Sequence, residues 1–173
     1  TNADGMPSGT FMSKEVSDWQ KAFELSMLSA LDMIRKCIPE MTENGFGRII
    51  SINSTSAKDI IPGTPLANGI KPGLVGALGT LAREVAEQGI TVNSILPGPF
   101  DTELLRRFAT QAVGVPDIIP EEAVQIYAEK VPMKRLGRIE EFGALCTFLC
   151  SVQAGFITGQ SFVIDGGKTS SLF

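Results

Sequence analysis

Few residues in this chain can carry chemistry. It contains no histidine, which excludes a Ser-His-Asp triad, a Cys-His dyad and any His-based metal site; no metal is expected. Cysteine occurs three times, at Cys37, Cys146 and Cys150. Cys146 and Cys150 are four apart in an apolar helical run and read as core, where free cysteine behaves as a small hydrophobe. Two polar candidates remain. Ser54 directly follows a short β-branched run and so stands at the end of a buried strand; it is either a ligand-facing hydroxyl or a turn-forming serine. Lys71, on a following helix, taken alone reads as a solvated helix charge. The single tyrosine, Tyr127, precedes Lys130 by three residues on a different helix and is not read as catalytic.

The elements that would position these groups follow from periodicity. Trp19, Phe23, Met27, Leu31, Ile34 and Ile38 recur at helical spacing and predict a long helix over 17–41. Ser17 and Gln20 fit a capping box at its start. Arg48-Ile49-Ile50-Ser51-Ile52 reads as a short buried strand, and residues 54–66, with Pro62, Gly63 and Pro65, as loop. A helix over 69–88 follows. Gly73, Gly76 and Gly79 lie three apart along it and imply either a close backbone neighbour or a weak helix. Gly89 is its stop. Residues 90–96 form a second strand ended by Pro97-Gly98-Pro99. The segment 101–120 is mixed, with a short helical stretch. Helices over 121–130 and 139–151 precede a third strand, 160–164, closed by Asp165-Gly166-Gly167. Strands separated by helices imply parallel pairing and an α/β, doubly wound sheet. Ligands in such sheets bind beyond the carboxyl ends of the strands, here Asn53-Ser54-Thr55, Pro97-Gly98-Pro99-Phe100 and Asp165-Gly166-Gly167.

These segments, in this order, resemble the short-chain dehydrogenase/reductase family, its 3-oxoacyl-(acyl carrier protein) reductase-like branch in particular, across essentially the whole chain. The likeness is carried by Gly47 to Ser54, by Gly89-Ile90-Thr91-Val92-Asn93-Ser94-Ile95-Leu96-Pro97-Gly98, by Arg135-Leu136-Gly137-Arg138-Ile139-Glu140-Glu141, and by Ile157-Thr158-Gly159-Gln160 through Asp165-Gly166-Gly167. The resemblance implies a nicotinamide cofactor, NAD or NADP, and interconversion of a small carbonyl and an alcohol. It implies that Ser54 positions the carbonyl and that Lys71 binds the nicotinamide ribose. In the family that lysine also lowers the pKa of a tyrosine four residues earlier, because an unperturbed phenol, at about 10, is a poor proton donor near neutrality. Here that position is Ala67, which cannot transfer a proton. The family's helix asparagine falls at Ser26. Pro72, beside Lys71, implies that the helix begins there or that its backbone is shifted. Asn68 is a possible hydrogen-bond donor beside the absent phenol. Pro97, Gly98, Phe100 and Thr102 match the loop that holds the nicotinamide, and Asn2 and Ala3 the turn beside the adenine ribose, with Thr1 and Asp4 departing from it.

The start of the chain is expected to fall where the family's fourth strand ends, so that residues 1–173 form one partial Rossmann-type domain, the substrate and nicotinamide half. No G-x-G-x-x-G turn occurs. Composition narrows the partners. At 43% hydrophobic and 20% charged the chain can bury a core. A net charge of −4 without a basic run argues against nucleic acid, no apolar stretch has membrane-spanning length, and no export signal opens the chain. A cytoplasmic location is expected. The family implies a homo-oligomer, dimer or tetramer. A catalytically degenerate relative, binding nucleotide or acting as a scaffold, is the alternative that Ala67 and Ser26 leave open.

Overall fold

The computed structural model describes residues 6–114 and 117–171, apart from the side chains of 107, 111 and 112. Three parallel strands, β1 (Gly47–Ile52), β2 (Ile90–Pro97) and β3 (Ser161–Ile164), lie in the order β1-β2-β3. Gly47 pairs with Ile90 and Ile52 with Ile95; Ser94 pairs with Ser161 and Pro97 with Ile164. Flanked on both sides, β2 is buried along its length except at Pro97, as a parallel strand covered on both faces must be.

Side-chain alternation divides the core. Ile49 and Val92 point to one face, against Ala30 and Ile34 of α2 (Ser29–Glu43) and Leu74, Leu78 and Ala82 of α3 (Pro65–Val85). Ile50 and Ile95 point to the other, against Leu149 of α6 (Ile139–Cys150) and Ala154. The sheet thus carries helices on both faces, the doubly wound α/β arrangement expected from the alternation of strands and helices.

Several local expectations need correction. The first long helix is α1 (Val16–Phe23) and α2 joined through a π turn, Glu24–Leu28, rather than one regular α-helix. Its start is two residues earlier than the Ser17 box: the backbone N–H of Glu15 donates to the Asp18 carboxylate at 3.0 Å, which satisfies one free amide of the first turn. The loop before α3 is shorter than 54–66. Asn68 closes it, accepting from the Ile61 N–H at 3.2 Å and donating to the Ile61 carbonyl at 2.9 Å, so its amide is not free beside position 67. Pro65 takes the first helical position, where no N–H is needed. Pro72 therefore lies inside α3, not at its start. Its missing donor and ring clash cost about 3 kcal/mol locally, and the helix persists because Leu66, Ile70, Leu74, Leu78 and Ala82 are all buried. Gly89 does end the helical segment, at φ +74°. Among the described residues nothing lies within 4 Å of a methyl built at Gly76 or Gly79, and at Gly73 only Met27 Sδ, at 3.8 Å; no backbone of this chain approaches the glycine row. None of the described helices is long and apolar enough to cross a membrane.

Candidate functional site

A cavity of about 530 Å³ opens at the carboxyl ends of β1 and β2, the place a parallel sheet reserves for ligands. Its wall brings together Ser54, Ala67, Lys71, Pro97, Gly98, Phe100 and Thr102, residues spread over nearly fifty positions of sequence. Every family-matched position inside the described residues is thus present in one wall, except Ser26. Asn2 and Ala3 lie outside the described residues.

Each group is held by its element. Ser54 leaves β1 in extended conformation and caps the short turn Thr55–Ala57, its Oγ accepting from the Ser56 N–H at 3.1 Å. The turn-forming reading holds, and Ser54 also lines the cavity: the oxygen serves the turn and the hydroxyl proton remains to donate. Lys71 is only 8% exposed and has no carboxylate within ion-pair distance among the described residues, so it is not the solvated helix charge its sequence context suggests. Burial lowers its pKa from the ordinary lysine value. Asn53, itself buried, donates from Nδ2 to the Lys71 carbonyl at 3.3 Å, tying the end of β1 to α3, while its Oδ1 has no hydrogen-bond partner among the described residues. At the end of β2 the Gly98 N–H donates to the Ile164 carbonyl at 2.9 Å. A side chain at Gly98 would overlap Asp165. Glycine is thus required for β2 and the Asp165 turn to approach. Thr102 caps α4 (Glu103–Val113) by accepting from the Leu105 N–H at 3.2 Å, again leaving a hydroxyl proton to donate.

Two departures stand beside this. Ala67 presents a methyl group to the cavity. Ser26, in the π turn, is 1% exposed with no partner for its Oγ among the described residues, and does not contribute to the cavity wall.

The structure also adds two residues. Tyr127, on α5 (Pro120–Glu129), and Lys168, after β3, both line the cavity. Lys168 Nζ donates to the Tyr127 hydroxyl at 2.7 Å and lies 4.7 Å from the ring centroid. Tyr127, set aside because its nearest lysine was wrongly spaced, has a lysine partner 41 residues further on. No local spacing could reveal that pair. A smaller cavity of about 340 Å³, on the other side of Phe100, is bordered by Arg135 and Glu141 and holds neither Ser54 nor Lys71. Arg135 binds Glu141 through two hydrogen bonds, 2.7 and 2.8 Å. That pair, with the Arg138 N–H, brings the Glu141 carboxyl down to about 2.

The family described as Enoyl-(Acyl carrier protein) reductase matches residues 2–169. Nodulation protein G of Azospirillum brasilense is 32% identical over 167 residues, covering 96% of this chain and 63% of that protein. The 3-oxoacyl-[acyl-carrier-protein] reductase FabG of Buchnera aphidicola is 33% identical over 166 residues, covering 96% and 63%. Among solved structures, the NADPH-dependent reductase YwfH, involved in bacilysin biosynthesis, superposes with a TM-score of 0.92 at 30% identity, covering 99% of this chain and 66% of that one. The chain thus spans slightly under two thirds of the length of these relatives.

Proposed function

Because this chain belongs to the short-chain dehydrogenase/reductase family, 3-oxoacyl-(acyl carrier protein) reductase-like, we propose that its protein is an NAD- or NADP-dependent oxidoreductase interconverting a small carbonyl and an alcohol, with an atypical active site. The observation that carries this reading is the convergence of Ser54, Lys71, Pro97, Gly98 and Thr102 on one cavity at the strand ends.

The residues present fit a nicotinamide nucleotide. The cavity is large and mostly apolar, as a flat heteroaromatic ring requires. Lys71 offers a buried cation without a counter-ion among the described residues, suited to the ribose hydroxyls. Pro97, Gly98, Phe100 and Thr102 are the residues that would hold the carboxamide side. When bound, such a cofactor supplies or accepts a hydride.

What this chain does itself follows from the bonds already made. Ser54, its oxygen engaged by Ser56, directs its O–H to the substrate oxygen and fixes the carbonyl. Lys71, held through its carbonyl by Asn53, places positive charge beneath the same oxygen, where negative charge builds as the hydride arrives. Phe100, Leu104, Phe108 and Phe142 line the cavity with apolar surface, which strengthens the electrostatic interactions inside it. Ala67 moves no proton, so the step a tyrosine would serve falls to water held by Ser54 and Lys71. Loss of a positioned general acid slows a reaction by roughly 10²–10⁴-fold, while positioning is a separate contribution. A slow enzyme is therefore the reading proposed. Ala67 and Ser26 favour the second reading, a degenerate relative that keeps nucleotide binding and has lost turnover. A homo-oligomer is proposed with it: Phe148 on α6 and Val152 and Phe156 after it are exposed, as are Phe23, Leu25 and Leu28 along the first helix, apolar surfaces of the kind subunits cover.

Carbonyl-dependent oxidation of NADH and NADPH tests the proposal. Turnover lost on Ser54→Ala and Lys71→Met supports it. Nucleotide binding without turnover of any carbonyl selects the degenerate reading.

A further inference from the structure

The oxidoreductase reading accounts for Lys71 and Ser54. Tyr127 and Lys168, in the same wall, are left without a role. Their placement is specific. Tyr127 is 9% exposed, its ring packed edge-to-face on Phe108 with centroids 6.0 Å apart. Its hydroxyl oxygen accepts from Lys168 Nζ at 2.7 Å. The phenol proton is therefore free to donate, and the ammonium keeps two further protons. Lys168 makes no ion pair with the described residues. Asp165, the acid nearest in sequence, turns its carboxylate to the backbone N–H groups of Gly167, at 2.9 Å, and Thr169, at 2.6 Å. Among the described residues of the wall, Lys71 and Lys168 are the charged side chains; Asp and Glu contribute none. The remainder is largely aromatic and aliphatic.

A half-desolvated cation beside a fixed O–H donor, in an otherwise apolar cavity, is a receptor for one small anion. We propose that the substrate is a small oxo acid or hydroxy acid, whose carboxylate takes one hydrogen bond from Lys168 Nζ and one from Tyr127 Oη while its carbonyl faces Ser54. A singly charged carboxylate with two oxygens matches one ammonium and one phenol. A phosphate ester shares the anionic oxygens but brings a second charge, which a single ammonium at this end does not balance. This inference rests on the oxidoreductase reading for the fate of the carbonyl, but not for the binding of the anion.

The experiment compares 3-oxobutanoate and 4-oxopentanoate with their methyl esters, which keep the carbonyl and lose the charge, and with dihydroxyacetone phosphate. Binding to the whole protein is followed by ligand-observed NMR with and without NADPH, beside kcat/KM. A charged hydrogen bond of this kind corresponds to roughly a 10- to 100-fold preference for acid over ester. The expected result is that preference in the native protein, its disappearance in Lys168→Gln, its retention in Lys168→Arg, and a smaller loss in Tyr127→Phe, which removes one oxygen and preserves the packing. Equal binding of acid and ester, an acid preference that survives Lys168→Gln, or tighter binding of the phosphate overturns the proposal. Acid-selective binding that depends on Lys168 but leads to no turnover supports it and sinks the oxidoreductase reading alone.

Discussion

On the proposed reading, replacing Ala67 by tyrosine supplies the general acid that this position lacks, and its effect can be worked from α3. Positions 67 and 71 share a helix face, separated by four residues and so by about 6 Å of rise. Both line the cavity, so the added ring enters open space rather than the core. Lys71 has no carboxylate partner among the described residues, so when protonated its charge is available to act on a phenol. At that separation and an effective dielectric constant of about 20, the attraction between ammonium and phenolate is about 3 kcal/mol, or about two pKa units. The phenol then titrates near about 8 instead of about 10. A general acid so placed is expected to raise carbonyl reduction by roughly 10²–10⁴-fold. Initial rates of NADPH oxidation across pH 6–10 measure it: the Ala67→Tyr variant should be faster and show an ionisation near about 8, which adding Lys71→Met moves back toward about 10. A variant that folds and binds NADPH like the native protein, yet gains neither rate nor the new ionisation, refutes the alignment of positions 67 and 71 with the reacting carbonyl. A native protein already as fast as the variant refutes the claim that Ala67 limits it.

Three further outcomes follow from the same structure. Gly89→Ala places a side chain at φ +74° and onto the Gly45 carbonyl oxygen. A loss of at least about 2 kcal/mol is expected, about 4–8 °C in Tm by calorimetry, and an unchanged Tm would remove the role assigned to that turn. Glu141, whose carboxyl stands at about 2 against an ordinary 4.5, contributes stability that is present above about 4.5 and is lost as pH falls toward about 2; Glu141→Gln should flatten the acid limb of Tm against pH, and an unaltered limb would show the pair idle. Lys71 has a native pKa lowered below 10.5 by burial, so its charge destabilises the fold below that native value and the penalty disappears as pH rises to about 10.5. Lys71→Met should accordingly melt higher than the native protein at neutral pH, with the difference closing toward pH 10.5, while carbonyl reduction falls; a lower melting temperature at neutral pH would contradict the uncompensated charge.

The order of strands and helices was legible in consecutive residues because it rests on local period. Ile49, Ile50, Val92 and Ile95 are buried as their runs imply, and Gly89 stops its helix as its type predicts. Ser54 was legible as the end of a strand, whereas Lys71, by itself a solvated helix charge, was singled out only through the family resemblance; both line the cavity. Sequence alone also settles that Ala67 cannot titrate and that the chain holds no histidine. Helix beginnings were less legible. Asn68 reaching back to Ile61 starts α3 early, and burial of its apolar face keeps it intact through Pro72, a tertiary contribution that local propensity does not contain. Only the folded chain decided that the Lys71 charge is buried without a carboxylate beside it among the described residues. Only the folded chain, too, joined Tyr127 to Lys168 across 41 residues, because the wall of a cavity is made by the packing of α5 and the segment after β3, and neither segment carries in its own spacing the position of the other.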